Sequence, residues 1–193
     1  MSTTSKTPSL FRSLRKLVKV FEGKNIDYMF IGGFALPAYG EIRATQDVDV
    51  AIAVANLKIL TELFNVLITQ NFEPSAEPML EAPVSYFLDK ENMVDVEIWL
   101  RPDGVKLDEE VLKRRQRRRL PNLDIWVIGP EDFIVNKLAR RDRRARDESD
   151  VVSVLLGQKG KLDKEYLEER AREFGVFELL QVLEDKLEKA SRS

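Results

Sequence analysis

Ile31-Gly32-Gly33, thirteen intervening residues, then Asp47-Val48-Asp49-Val50 is the stretch from which the rest of the chain can be read. Tyr28-Met29-Phe30-Ile31 is a short apolar run stopped by a glycine pair, which reads as a buried strand ending in a turn. Phe34 to Tyr39 reads as one or two helical turns. From Asp47 to Val54 carboxylates alternate with Val and Ile, the pattern of a strand with one polar face. Alternation places Asp47 and Asp49 on the same face, roughly 7 Å apart along the strand. Like charges so close, flanked by Val48, Val50 and Ile52, repel each other unless a cation joins them. The glycines stand where a strand gives way to a helix, so their backbone N–H groups are suited to phosphate oxygens.

Working outward, Leu10, Phe11, Leu14, Leu17, Val18 and Phe21 recur at helical spacing and predict a helix over 8–22, preceded by a disordered Ser/Thr/Lys-rich segment 1–7. Leu57, Leu60, Leu63, Phe64 and Leu67 mark a second helix. Val84–Leu88 and Met93–Leu100 read as strands of a hairpin broken at 89–92. A charged helix is expected over 108–119, then a strand at Leu123–Ile128. Gly129-Pro130-Glu131-Asp132 is a helix start, and 130–193 reads as all helix. The expected fold class is therefore α/β: a mixed-sheet core over 1–128 and a helical C-terminal extension over 129–193.

The 193 residues, 44% hydrophobic and 33% charged, suffice for one sizeable core. With no cysteine and no histidine, disulfides, thiolate or imidazole zinc sites and histidine-assisted nucleophiles are excluded. Any metal must be held by oxygen, which favours Mg²⁺ or Mn²⁺ acting together with substrate phosphates. No apolar run approaches the roughly 20 residues that span a bilayer, and the opening stretch lacks the apolar block of a signal peptide. A cytoplasmic location without membrane contact is expected. The net charge of −2 argues against indiscriminate nucleic-acid binding.

A third carboxylate is offered by Val94-Asp95-Val96-Glu97-Ile98-Trp99, where Asp95 and Glu97 share a face. Taken singly, a Gly-Gly turn or an Asp-x-Asp edge is common and uninformative; their order and spacing carry the reading. The pattern Gly32-Gly33, Asp47-x-Asp49 and a strand acid at Asp95 resembles the DNA polymerase β-like nucleotidyltransferase superfamily, and looks closest to its AbiEii-like and minimal members. Arg43-Ala44-Thr45-Gln46-Asp47-Val48-Asp49 is similar to their Arg-x-Thr-x-Asp-x-Asp motif. Gly129 to Leu138, followed by Arg146-Asp147 and Asp150, is similar to the segment after their core.

The resemblance implies a metal-dependent enzyme that moves a nucleoside monophosphate from a nucleoside triphosphate such as ATP onto RNA or tRNA, a protein or a small molecule. It implies Asp47, Asp49 and Asp95 as catalytic metal ligands, with Glu97 a ligand, a base or an edge residue. Gly32, Gly33, Arg43, Thr45 and Lys137 would meet the nucleotide, Arg43 as a bidentate phosphate ligand and Lys137 as a point charge. Asp147 and Asp150 read as structural acids at a helix start. The basic runs 113–119 and 140–146 are the sequence's only clue to an RNA acceptor, although in 108–119 acids before arginines also complement a helix dipole. The alternative from another class is a catalytically silent nucleotide-binding or toxin–antitoxin protein; an active toxin would have a cognate antitoxin.

Overall fold

The computed structural model describes residues 9–40 and 45–192. The expectation of disorder over 1–7 lies outside them. Helix α1 (Ser9–Gly23) buries Leu14, Leu17, Val18 and Phe21 along one stripe, as its spacing requires. Strand β1 (Asp27–Phe30) leads through two 3₁₀ turns, Gly32–Phe34 and Leu36–Ala38, toward β2 (Val48–Ala53). Helix α2 (Leu57–Thr69) starts where the Asn56 side chain accepts a hydrogen bond from the Ile59 amide at 3.0 Å. Then come β3 (Phe72–Pro74), β4 (Val84–Asp89), β5 (Val94–Trp99), α3 (Glu109–Arg114), β6 (Gln116–Leu120) and β7 (Leu123–Val127). Four helices close the described chain: α4 (Pro130–Ala139), α5 (Ala145–Gly157), α6 (Lys164–Glu173) and α7 (Phe177–Arg192).

The strands form one mixed seven-stranded sheet in the order β3-β4-β5-β2-β1-β7-β6. β1 runs antiparallel to β2 and parallel to β7, while β2 runs parallel to β5. Paired residues share a face, so Tyr28, Phe30, Val50, Val96 and Phe87 lie on one side. That side is covered by α1, with Phe21 5.2 Å from Tyr28 between ring centres, and by α2, with Phe64 4.8 Å from Phe87. The other side carries Asp49, Glu97, Trp99 and Tyr86 and is far less covered. The α1 side is also locked by a buried network. Asp89, at the β4–β5 turn, receives Ser13 Oγ at 2.7 Å, Lys16 Nζ at 2.8 Å and Asn92 Nδ2 at 2.8 Å.

Two expectations change. The helix expected over 108–119 stops at Arg114, and Gln116–Leu120 is an edge strand hairpinned to β7. Its arginines alternate, Arg117 and Arg119 outward, and Pro121-Asn122 forms the turn with Asn122 at φ 60°. Charged edges of this kind resist pairing with other chains. The short β3 was not anticipated, since three residues ending in proline show no period. No helix among the described residues is long and apolar enough to cross a membrane.

Candidate active site

Beyond β1 the pairing with β2 continues for one more bond, from the Ile31 amide to the Asp49 carbonyl at 2.9 Å. The chain then turns sharply at Gly32, which has φ +64°. A Cβ there would lie 2.0 Å from Asp49 Oδ2. Only glycine satisfies both the left-handed backbone and the space that the Asp49 carboxylate occupies. The first glycine of the pair is thus explained by the second aspartate of the Asp-x-Asp.

Asp47 stands just before β2, exposed, with Oδ1 held by the Thr45 hydroxyl at 2.7 Å. Arg43 lies outside the described residues. On β5 the register sets Glu97, not Asp95, beside Asp49. The two carboxyls are hydrogen-bonded. Burial, then the Asp49 charge, push the Glu97 carboxyl up to about 7; burial, then Asp47, also raise Asp49. Asp95 shares their face but is exposed, and it has no hydrogen-bond or ion-pair partner among the described residues.

Asp47, Asp49 and Gly33 line a cleft of about 490 Å³ together with cationic side chains, Lys137 and Arg140 from the end of α4 and Arg144 and Arg146 from the start of α5. Lys137 does not project freely. It is 3% exposed and clamped by Asp147 Oδ1 at 3.1 Å and Asp150 Oδ2 at 3.0 Å. Asp147 also accepts the Arg144 amide at 3.0 Å, closing the first turn of α5. Burial alone would raise the Asp147 carboxyl, yet the Arg144 amide and the Lys137 ammonium hold it below the usual range. The triad fastens α4 to α5 and so sets the cationic wall. Arg140 reaches Asp142 at 3.2 Å and Asp147 at 3.9 Å and lines the cleft beside Asp49. Arg146 has no ion-pair partner among the described residues.

The other basic run is engaged internally. Lys113 meets Glu109, Arg114 meets Glu110 and Asp163, and Arg115 meets Asp27. Arg117 and Arg119 share Asp124, and Arg118 bonds the Ala38 carbonyl and Gln116.

No three Asp or Glu side chains among the described residues gather closely enough to hold a metal unaided. Mg²⁺ is commonly held by one or two carboxylates plus substrate phosphates. Asp49 beside Glu97, with Asp47 and cationic side chains lining the cleft at Asp49, is a donor set that suits such an ion.

The chain belongs to the family described as nucleotidyl transferase of unknown function (DUF2204), which matches residues 10–188. It is thus a nucleotidyltransferase. Solved structures share the fold. The lincomycin-bound lincosamide antibiotic adenylyltransferase LnuA matches at 12% identity and TM-score 0.52, over 74% of this chain and 94% of its own. An antigenic nucleotidyltransferase-like protein from Paracoccidioides brasiliensis matches at 19% identity and TM-score 0.55, over 95% and 90%. The antibiotic-resistance factor ANT(2'')-Ia matches at 10% identity and TM-score 0.56, over 95% and 97%. No curated protein matches. The family supports the superfamily expected from the motif and does not select its AbiEii-like group.

The expected third ligand Asp95 stands two positions along β5 from Glu97, whereas Glu97 itself stands beside Asp49. Arg140, Arg144 and Arg146 line the cleft at Asp49, and the signal in the sequence is that run 140–146 falls between Gly129–Leu138 and Asp147–Asp150, both tied to the site by the motif.

Proposed function

We propose that the protein transfers a nucleoside monophosphate from a nucleoside triphosphate to a hydroxyl on a small acceptor, with Asp47, Asp49 and Glu97 holding Mg²⁺ or Mn²⁺. The supporting observation is Asp49, paired with Glu97 across β2 and β5, which lines one cleft with Asp47, Arg140, Arg144 and Arg146. Such ions, when bound, stabilise phosphoryl charge and favour ionisation of an attacking hydroxyl. The arginines receive phosphate oxygens, and the backbone at Gly33 edges the same space. Thr45 holds the Asp47 carboxylate by a hydrogen bond, and both line the cleft. Lys137 acts as a positioning residue, through Asp147 and Asp150, on the α4–α5 junction that carries those arginines.

In the reaction the acceptor oxygen bonds to the α-phosphorus and the bond to the β-phosphate oxygen breaks. Pyrophosphate leaves with the electron pair, and the acceptor proton passes to water. The internal pairing of run 113–119 removes the main reason to choose RNA. LnuA, whose solved structure contains lincomycin, shares the fold and makes a small acceptor the natural first test. The deciding assay supplies α-labelled nucleoside triphosphates with Mn²⁺ and a panel of hydroxylated small molecules, RNA and cell lysate. Label is expected on a small molecule, dependent on Asp49 and Glu97. Label on RNA, or activity surviving Asp49→Asn and Glu97→Gln, would refute the proposal.

A further inference from the structure

The open end of the sheet carries a second chemical character beside the carboxylates. Tyr86 on β4 pairs with Glu97, and Leu88 pairs with Asp95, so all four lie on the face of Asp49. Helices α1 and α2 cover the opposite face of these strands. Tyr86 is 51% exposed there, an aromatic ring in water next to the acid pair. Asp95, two positions along from Glu97, stands roughly 7 Å from it. Glu73 on β3 extends the same face, but its charge is matched by Lys90 at 3.1 Å. Asp95 has no such partner among the described residues. Trp99, two positions beyond Glu97 in the other direction, closes the far end of this shelf half-buried.

The charges are therefore segregated. The α4–α5 side of the cleft is cationic and suits a triphosphate, whereas the β4–β5 side offers a carboxylate unmatched among the described residues and an exposed aromatic ring. We infer that the β4–β5 shelf binds an acceptor carrying a protonated amine, with Asp95 pairing the ammonium and Tyr86 stacking beside it. An ammonium at Asp95 also lies within range of the Tyr86 ring, its diagonal neighbour across the strands. Such an acceptor would present a hydroxyl about 7 Å away, at the Asp49–Glu97 pair, a spacing that one sugar ring and its substituents span. A nucleic-acid acceptor would instead set its phosphates against Asp95 and Glu97.

This inference rests on the nucleotidyl-transfer reading, and one set of samples separates the two. Three amino sugars and the N-acetylated form of each are titrated into the full chain with Mn²⁺ and a non-hydrolysable ATP analogue. Binding is followed by fluorescence of Trp99 in a Trp126→Phe background, and nucleotide binding is measured in the same samples. The amine form is expected to bind at least tenfold more tightly than its acetylated form. Asp95→Asn should erase that preference, and Tyr86→Ala should weaken the amine form, with nucleotide binding unchanged in both. Equal binding of the two forms, no binding of any amine, preference surviving Asp95→Asn, or tighter binding of a single-stranded RNA 12-mer would overturn the inference alone. Absence of Mn²⁺-nucleotide binding in the parent would overturn the nucleotidyl-transfer reading, and this inference with it.

Discussion

Lys137→Met removes one charge while keeping the side chain's length and apolar stem. In the structure its ammonium lies between Asp147 at 3.1 Å and Asp150 at 3.0 Å, all three nearly inaccessible to water. Removing one partner of a buried ion pair costs about 3–5 kcal/mol, because the remaining charge is left desolvated and unpaired. Here Asp147 keeps the Arg144 amide at 3.0 Å and Arg140 at 3.9 Å, so the lower end is expected. At about 2–4 °C per kcal/mol for a chain of this size, the melting temperature should fall by roughly 6–20 °C. Differential scanning calorimetry at pH 7 measures this directly. The triple variant Lys137→Met with Asp147→Asn and Asp150→Asn should recover most of the loss, since the desolvated charges are gone. A lysine whose role was to meet the triphosphate would behave differently: Lys137→Met would melt with the parent and lose only nucleotide affinity. That outcome would refute the anchoring role.

Gly32→Ala should abolish transfer and weaken Mn²⁺ binding, because the new Cβ falls on Asp49 Oδ2 and the backbone has positive φ; the strain should cost about 1–3 kcal/mol in urea unfolding. Asp49→Asn should leave the metal-free fold unchanged or slightly more stable, since it relieves repulsion with Asp47 and Glu97, while nucleotide-dependent Mn²⁺ binding measured by calorimetry is lost; equal Mn²⁺ affinity in variant and parent would contradict this. Asp132, fully buried beneath the Tyr166 hydroxyl at 2.9 Å, has a carboxyl pushed by burial from 3.8 to about 6. The folded chain thus binds this proton more tightly than the unfolded one, so its contribution is fully present below about pH 4 and is lost as pH rises through about 6. The loss is roughly 3 kcal/mol, and Asp132→Asn should flatten that segment of the stability–pH curve.

Much of the core was legible because its signals are local. The α1 stripe, the alternation of β2 and the Gly129-Pro130 helix start each depend on residues within one element. The choice between Asp95 and Glu97 was not local. Alternation gives them one face, and only the pairing of β5 with β2, some fifty residues away in sequence, puts Glu97 beside Asp49. Run 113–119 misled for a related reason. Acids followed by arginines satisfy a helix, and the partner that made a strand of Gln116–Leu120 is β7, after the Pro121-Asn122 turn. The anchoring of Lys137 lay nearer the surface of the sequence. Asp147 and Asp150, three apart on one helix face, read as structural acids from the sequence, and what periodicity does not show is the short α4–α5 connection that folds them back on Lys137.

The proposed placement of the metal-binding acids is tested most directly by titrating Mn²⁺ calorimetrically, in the presence of a non-hydrolysable ATP analogue, into the parent chain, Glu97→Gln and Asp95→Asn. Saturable binding is expected in the parent and in Asp95→Asn, with little or none in Glu97→Gln. Binding retained by Glu97→Gln and lost in Asp95→Asn would contradict the assignment of Asp49 and Glu97 as the acids at the centre of the site.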